Sequence, residues 1–231
     1  MHAPMAIQAF KTGFAPQSDI IAALNIKICN DGPPGNKHRF AKHETVFRVG
    51  DAAGRFFEIL AGALMVYQLL EDGRRQVVEV VLPGGMVGFS VDGLHPSSCE
   101  ALTLVKLRSY GKWDVEHSAE LSARVGAQAE KQMCAMHQHV LALGRKTAEE
   151  RVAGLLARFA ALGVVRASDR SIRLEVPMTR GEMGDHLGLS LETVCRTLTA
   201  FQQKGVLEVG KQRGEVVVKN IRLLRHLASI S

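Results

Sequence analysis

The sequence predicts an α+β protein that combines a small antiparallel β-roll or barrel, a long helix and a winged helix-turn-helix. Between residues 40 and 108, short apolar runs alternate with glycine turns about every ten residues, which is typical of an antiparallel sheet. Residues 113–143 contain few helix breakers. Residues 179–218 carry the start and stop signals of two helices followed by a hairpin.

The predicted sheet is divided by turn residues, among which glycine most readily adopts the positive φ angles that tight turns require. The turns are Gly50-Asp51, Gly62, Asp72-Gly73, Gly84-Gly85 and Gly88. The runs between them are rich in Val, Leu and Phe, so each run is predicted to be a short strand. Residues 1–35 hold four prolines and little periodicity, and we expect a flexible arm there.

The predicted central helix carries an apolar seam whose members follow one another at steps of three and four residues. The seam consists of Val125, Ala129, Met133, Met136, Val140 and Leu143. This spacing is typical of the contact line in a two-stranded coiled coil. We therefore expect the helix to pair with its copy in a homodimer.

Two further helices, separated by a tight turn, are predicted from local signals. Thr179 and Glu182 have the spacing of a capping box, in which each side chain satisfies a free backbone amide at the helix start. Gly188 ends this helix, and Ser190 is placed to cap the next one. The second helix is therefore expected to begin at about Leu191.

This second helix has an apolar side and a polar side. Apolar residues at steps of three and four predict one buried stripe, formed by Leu191, Val194, Leu198 and Phe201. The polar side, which faces outward, carries Glu192, Cys195, Arg196 and Thr199. Gly205 closes the helix, and the pattern of residues 206–218 around GKQRGE predicts a hairpin wing.

The excess positive charge lies in the C-terminal part of the chain. Residues 145–231 contain 15 Lys and Arg against 9 Asp and Glu, whereas residues 1–144 contain 14 of each. Phosphate backbones attract such a domain because binding releases their counterions. The asymmetry favours a nucleic-acid partner, and a solvated basic surface is the alternative that charge alone leaves open.

The four cysteines lie far apart, at positions 29, 99, 134 and 195, without CxxC spacing. They predict neither a zinc site nor a disulfide framework, and they fit a reducing cytoplasm. The N-terminus lacks the pattern of a signal peptide, and no apolar run reaches the roughly 18 residues that a membrane span needs. A cytoplasmic protein without membrane contact is expected.

Three segments resemble the CRP/FNR family of transcription regulators. TRGEMGDHLGLS followed by LETVCRTL, at 179–198, is similar to the family's helix-turn-helix and recognition helix. GRKTAEERVAGLL, at 144–156, resembles the segment that follows the dimerisation helix, and residues 56–88 resemble the family's cyclic-nucleotide-binding-domain-like β-roll. The resemblance implies a flexible arm (1–35), a β-roll sensory domain (36–112), a dimerisation helix (113–143) and a winged helix-turn-helix DNA-binding domain (144–231).

Within this family, the pairing of Glu192 with Arg196 resembles the FNR/FixK branch, which reads TTGAT-N4-ATCAA inverted repeats. The resemblance implies a homodimeric activator that binds promoter DNA and RNA polymerase. The residues expected at base edges are Leu191, Glu192, Cys195 and Arg196. The residues expected at phosphates are Thr179, Arg180, Ser190, Thr193, Thr199, Lys211 and Arg213.

Cys195 stands where FNR-type proteins carry Ser immediately before the Arg. A thiol near a helix start and beside a guanidinium is a candidate for oxidation, which would place bulk and charge against the DNA. Cys195 is therefore a redox candidate. The alternative is that the thiol only fills the small position that Ser fills in relatives.

No cofactor is expected. FNR itself holds an iron-sulfur cluster on a cysteine cluster near the N-terminus, where this chain has only Cys29. Relatives that bind cyclic AMP carry an Arg-Ser or Arg-Thr pair for the phosphate. At the matching place this chain reads Gly88-Phe89-Ser90 and then Ser97-Ser98-Cys99-Glu100, without the arginine. A buried phosphate without a cation is costly, so activity without an effector is expected.

Two alternatives place further chemistry in the roll: a ligand-sensing or haem-sensing regulator of the same family, and a cupin-like enzyme fused to a helix-turn-helix. The candidate ligands are His38, His43, His95, His137 and His139. They form no two-His-one-carboxylate set, and we interpret them as surface or dimer-rim residues. No nucleophile with a base is found either, so the chain is not expected to be an enzyme or to bind a metal.

Overall fold

A computed structural model describes residues 35–161, 165–168, 171–210 and 214–229. The predicted arm therefore lies outside the described residues, apart from Gly35. Between residues 36 and 111 the chain forms eight strands. They are β1 (Asn36–Phe40), β2 (Thr45–Phe47), β3 (Arg55–Ala61), β4 (Leu64–Leu69), β5 (Arg75–Val81), β6 (Met86–Val87), β7 (Ser98–Ala101) and β8 (Val105–Gly111).

The eight strands form two four-stranded sheets, in the orders β1-β8-β3-β6 and β2-β7-β4-β5, and the pairs are antiparallel. The sheets enclose an apolar cluster that includes Ile59, Leu64 and Leu107. The predicted antiparallel roll is confirmed, and five of its turn glycines have positive φ, namely Gly50, Gly62, Gly73, Gly84 and Gly88. At Gly62 a side chain is also excluded by space, because a Cβ would collide with the carbonyl oxygen of Leu104.

The rest of the described chain contains six helices and four strands. The helices are α1 (Lys112–Glu116), α2 (Ala119–Arg145), α3 (Ala148–Ala161), α4 (Arg180–Leu187), α5 (Leu191–Gln203) and α6 (Ile221–Ser229). The strands are β9 (Val165–Ser168), β10 (Ser171–Glu175), β11 (Leu207–Val209) and β12 (Glu215–Val218). None of the helices in these ranges is long and apolar enough to cross a lipid bilayer.

The single helix predicted over 113–143 is wrong at its start, because the chain breaks into α1 and α2. Helix α1 ends at Glu116, with His117 as its C-terminal cap, and the side chain of Ser118 accepts a hydrogen bond from the Leu121 backbone amide at 3.3 Å. Ser118 therefore caps a second helix, which continues to Arg145. The seam residues all lie on α2.

The predicted hairpin is confirmed, since β11 and β12 pair antiparallel from Leu207 opposite Val218 to Val209 opposite Val216. The hairpin belongs to a larger sheet in the order β11-β12-β10-β9, of which the sequence analysis missed the last two strands. Alternating Ile172, Leu174 and Val176 was the available signal, and Leu174 and Val176 are buried.

The roll and the C-terminal half are packed against each other. One apolar cluster contains Val77 and Val80 of β5 together with Leu156 of α3 and Phe201 of α5. Polar contacts cross the same junction, where Arg75 of β5 forms an ion pair with Asp185 of α4 at 2.9 Å. The helix-turn-helix is therefore held in a defined place relative to the roll of its own chain.

Candidate nucleic-acid interface

The first helix of the helix-turn-helix begins at the predicted capping box. The Thr179 hydroxyl accepts from the Glu182 backbone amide at 3.2 Å, and the Glu182 carboxylate accepts from the Thr179 backbone amide at 2.6 Å. Two free amides at the start of α4 are thus satisfied by side chains. The prediction made from the spacing of these two residues is confirmed.

The turn between α4 and α5 depends on two glycines. Gly188 adopts φ 62° and ψ 41°, the left-handed conformation that ends a helix. At Gly184 a Cβ would lie 2.6 Å from the carbonyl oxygen of Leu189, so a side chain there would push the turn apart. Ser190 then caps α5, since its hydroxyl accepts from the Thr193 backbone amide at 3.1 Å.

Helix α5 buries Val194, Leu198 and Phe201, as the spacing predicts. The fourth member of the predicted stripe, Leu191, is 56% exposed, so its assignment to the buried stripe is wrong. Leu191 is the first residue of the helix and lies beyond the core, whereas Thr197 takes a buried place and donates to the Thr193 carbonyl at 2.9 Å. Leu191 therefore lies with the outward-facing residues.

The outward face of α5 carries the predicted pair of opposite charges. Arg196 Nη2 lies 2.6 Å from Glu192 Oε1, and the two side chains are 79% and 70% exposed. An exposed pair at this helical spacing contributes only about 0.3–0.5 kcal/mol. Stronger hydrogen bonds to an external partner can therefore replace it, while the pair keeps both groups side by side.

Cys195 and Arg180 meet between the two helices. Arg180 Nη1 lies 3.6 Å from Cys195 Sγ, and the Thr199 hydroxyl donates to the Cys195 carbonyl at 3.0 Å. Cys195 is half-buried, whereas Arg180 and Thr199 are exposed. The first residue of α4 thus contributes a cation to the face that α5 presents.

The remaining residues predicted at phosphates have different positions. Thr179 and Ser190 use their hydroxyls as helix caps, and the Thr193 hydroxyl lies 2.8 Å from that of Ser190. These three are grouped at the two helix starts, where backbone amides point outward. Lys211 and Arg213 lie outside the described residues.

The predicted seam of α2 divides into two sets. Ala129, Met133, Met136 and Val140 are exposed in the single chain, and together they form one apolar stripe, which we call the α2 stripe. Val125 instead packs against an apolar cluster of its own chain, and Leu143 lies against Gly188. The assignment of these last two to an intersubunit seam remains a prediction.

Residues 97–100, which match the phosphate-binding place of relatives that bind cyclic AMP, include no arginine. The Ser98 hydroxyl, in β7, accepts from the Val49 backbone amide at 3.1 Å, and Glu100 Oε1 lies 3.0 Å from His43 Nδ1. Between them Cys99 is fully buried, and burial raises the pKa of its thiol. Segment 97–100 thus places the Glu100 carboxylate where a bound phosphate would need a cation. The residues at this place therefore do not fit a cyclic nucleotide.

The interpretation of the histidines as surface or dimer-rim residues is wrong for His95. His95 is buried and stacks on Phe47 with 3.7 Å between ring centroids. His139 of α2 is half-buried and stacks on His186 of α4 at 4.3 Å. Among the residues that the structure describes, no three His, Cys, Asp or Glu side chains are grouped so that they could hold a metal ion.

The residues that join α4 to the rest of the chain were not predicted from the sequence. His186 Nδ1 lies 3.0 Å from the Val77 carbonyl of β5, and Arg151 of α3 donates at 3.0 Å to the Leu187 carbonyl at the end of α4. These contacts join residues that are far apart in the sequence. No local spacing signals them.

Two protein families match the two parts of the chain. The cyclic nucleotide-binding domain family matches residues 37–117, and the Crp-like helix-turn-helix domain family matches residues 150–227. The first match covers the eight-stranded roll and α1. The second covers the helix-turn-helix and its wing.

The chain is also similar to known regulators over most of its length. The nitrogen fixation regulation protein FixK of Bradyrhizobium diazoefficiens is 34% identical over 181 residues, which are 76% of this chain and 75% of that protein. The transcriptional activator protein FnrA of Stutzerimonas stutzeri is 37% identical over 185 residues, or 74% and 72% of the two chains.

The solved structure of FixK2 from Bradyrhizobium japonicum has a TM-score of 0.77 and 28% identity, and the match covers 86% of this chain and 100% of that one. The roll, the long helix and the helix-turn-helix thus recur together in that protein. The relatives are named as regulators of transcription and not as enzymes. The chain therefore belongs to the CRP/FNR family of transcription regulators, in its FNR/FixK branch.

Proposed function

We propose that this chain is a homodimeric transcription activator that reads inverted repeats of the TTGAT-N4-ATCAA type, without a cyclic-nucleotide effector. The observation that carries the proposal is the exposed Glu192–Arg196 pair on α5, a helix held at its start by Ser190 and supported by α4. A helix of this kind enters the major groove of DNA with its N-terminal residues against base edges.

Arg196 and Glu192 have complementary tasks in this proposal. The planar guanidinium of Arg196 donates two hydrogen bonds to O6 and N7 of a guanine, and the Glu192 carboxylate accepts from an amino group of cytosine or adenine. Each such contact discriminates against a wrong base by roughly 1–3 kcal/mol. Cys195 and Leu191, on the same side of α5, contact the neighbouring bases.

A second set of contacts positions the helix without reading sequence. Thr179 and Ser190 cap the starts of α4 and α5, and helix starts bind phosphate oxygens through their amides. Thr193 and Thr199 extend this set, and Lys211 and Arg213 add cations from the wing. The charge excess after residue 144 supports this assignment.

The α2 stripe supports the homodimer. Met133, Met136 and Val140 are each more than half exposed in the single chain, an unusual arrangement for apolar side chains in a row. Pairing two copies along the stripe removes this surface from water. It also presents two copies of α5, which can then enter successive major grooves about 34 Å apart.

Activation is proposed from the relatives. FnrA of Stutzerimonas stutzeri is named a transcriptional activator, and FixK is named a regulation protein of nitrogen fixation. Activators of this family typically contact RNA polymerase at the promoter, and RNA polymerase is the proposed protein partner. The misfit of residues 97–100 to a cyclic phosphate supports activity without that effector.

The proposal includes a redox brake, by which we mean that oxidation of Cys195 inhibits DNA binding. Its Sγ lies on the DNA-facing side of α5, 3.6 Å from the Arg180 guanidinium. Oxidation to a sulfenic or sulfinic acid would add polar atoms where a base or phosphate must fit. Peroxide should therefore weaken DNA binding of the wild type but not of Cys195→Ser, and equal affinity of the wild type before and after peroxide would remove the brake.

The test of base reading compares two exposed arginines, Arg196 of α5 and Arg180 of α4. Binding of labelled TTGAT-N4-ATCAA and of a scrambled duplex is measured by fluorescence anisotropy at one stated salt concentration. Arg196→Ala should abolish the preference for the inverted repeat, whereas Arg180→Ala should weaken both duplexes alike. If Arg196→Ala retains the wild-type preference, the proposed reading by Arg196 is wrong.

A further inference from the structure

Arg151, in the first turn of α3, joins three separate segments through one side chain. Its Nη2 donates to the Leu143 carbonyl at 2.7 Å, its Nε to the Lys146 carbonyl at 2.8 Å and its Nη1 to the Leu187 carbonyl at 3.0 Å. Leu143 lies in the last turn of α2, and Leu187 is the last residue of α4. One guanidinium thus touches the dimerisation helix, the linker and the helix-turn-helix.

The three carbonyls are groups that helix ends leave without an intrahelical partner. Leu143 would accept from the Thr147 amide if α2 continued, but that amide donates to the Glu150 carboxylate at 2.6 Å. A cation also interacts favourably with the negative end of each helix dipole. Arg151 therefore acts as a shared C-terminal cap for α2 and α4.

A shared cap fixes geometry more narrowly than a packing contact does. The guanidinium is planar and its donors point in set directions, so the two helix ends must keep one distance and one angle to satisfy it. A second link between α2 and α4 is the stack of His139 on His186, which lies about one turn before Leu143 in α2 and immediately before Leu187 in α4. Together the two links orient α4 relative to α2, and α4 in turn supports α5 through the Gly184–Leu189 turn.

We infer that Arg151 is a positioning residue that sets the spacing between the two half-sites that the dimer reads. This inference rests on the proposed function, in which α2 lies at the dimer axis and α5 reads each half-site. The distance of α5 from the axis is then determined by the α2–α4 geometry that Arg151 caps. Arg151 itself touches no base and belongs to neither set of proposed DNA contacts.

The experiment measures spacing preference directly. The full-length wild type and Arg151→Met are titrated against inverted TTGAT repeats whose spacers run from about two to six base pairs, and against a duplex with one half-site. The wild type should prefer one spacer. Arg151→Met should lose affinity for that spacer by about tenfold or more, with the other spacers and the single half-site little changed, so that the preference flattens.

The ratio between the affinities for duplexes with different spacers, which we call the spacing ratio, distinguishes a positioning role of Arg151 from a general loss of structure. A variant that is merely less stable loses active protein, which lowers binding to every duplex by the same factor and leaves the ratio between spacers unchanged. Arg145→Met is the matched control, because it removes an exposed cation from the end of α2, one of the helices that Arg151 caps, without touching the three carbonyls. It should keep the wild-type ratio.

Arg151→Lys keeps the charge but not the planar fork, and it carries the test if Arg151→Met does not fold. The preference should flatten in this variant too. A wild-type spacing ratio in either folded variant would overturn the inference. If instead the wild type binds all inverted repeats no better than the single half-site, the proposed function itself fails, and this result is distinct from the first.

Discussion

Acidification is predicted to destabilise the protein through His186, which lies where α4 packs on the roll. The imidazole is 4% exposed, its Nδ1 lies 3.0 Å from the Val77 carbonyl, and its ring stacks on His139. The pKa of His186 is lowered to about 4, mainly by burial and to a smaller extent by the neighbouring His139. The junction thus accommodates the neutral imidazole and disfavours the charged one.

The size of the effect follows from the two protonation equilibria. In the unfolded chain the pKa of His186 has its ordinary value of 6.5. Between this value and about 4 the unfolded state binds a proton that the folded state does not bind, so the free energy of unfolding falls as the pH falls. The full loss is roughly 3 kcal/mol, of which roughly 2 kcal/mol has occurred at about pH 5.

The assay is urea unfolding followed by circular dichroism, at about pH 7.5 and about pH 5, for the wild type, His186→Gln and His137→Gln. A glutamine at 186 can still donate to the Val77 carbonyl but does not titrate. Glu79 changes the free energy of unfolding in the opposite direction as the pH falls, because burial raises the pKa of its carboxyl. The effect of His186 is therefore obtained from the difference between the wild type and His186→Gln. Between the two pH values, the free energy of unfolding should fall by roughly 2 kcal/mol more in the wild type than in His186→Gln. His137→Gln serves as the control, because His137 is exposed on α2. Parallel pH profiles of the wild type and His186→Gln would refute the reasoning.

Three further predictions concern the helix-turn-helix and the dimer. Thr179→Ala removes the hydroxyl that accepts from the Glu182 amide and should lower the free energy of unfolding by about 1 kcal/mol in urea. Gly184→Ala places a carbon 2.6 Å from the Leu189 carbonyl, and it should lower the melting temperature more than Thr179→Ala does. Met136→Glu puts a carboxylate on the α2 stripe of both copies, and sedimentation should show monomers because like charges would face each other across the dimer.

Each of these changes has a matched substitution elsewhere in the chain. Thr199→Ala removes an exposed hydroxyl that caps no helix start, Gly154→Ala adds a methyl group in open space on α3, and Gln138→Glu adds a charge to α2 outside the stripe. The controls should leave the cap, the turn and the dimer intact. A control with the same effect as its partner would show that the structural reason given for that partner is wrong.

The helix-turn-helix could be predicted in detail because its signals are local. The capping box at Thr179, the helix-ending Gly188 and the cap at Ser190 each act within a few residues. The same kind of reasoning misplaced Leu191, since spacing alone does not show whether the first residue of a helix still reaches the core. It also missed the cap at Ser118, which interrupts an otherwise uniform helical pattern.

The junction between the two halves could not be predicted from spacing. Val77 and His186 are 109 residues apart, and Arg75 and Asp185 are 110 apart, yet each pair is in contact. Such contacts depend on how whole elements pack, which the periodicity of a single segment does not encode. The burial of His186 and His139 follows from the same packing.

Because β5 shares an apolar cluster with α3 and α5, the roll helps to support α5, the recognition helix. Val77 and Val80 belong to the same apolar cluster as Leu156 and Phe201. Dense interiors transmit a change of volume to their neighbours. A bulkier side chain at Val77 or Val80 would therefore alter the packing of α5, the recognition helix. Deletion of the roll would weaken DNA binding, although the residues of α5 would be unchanged.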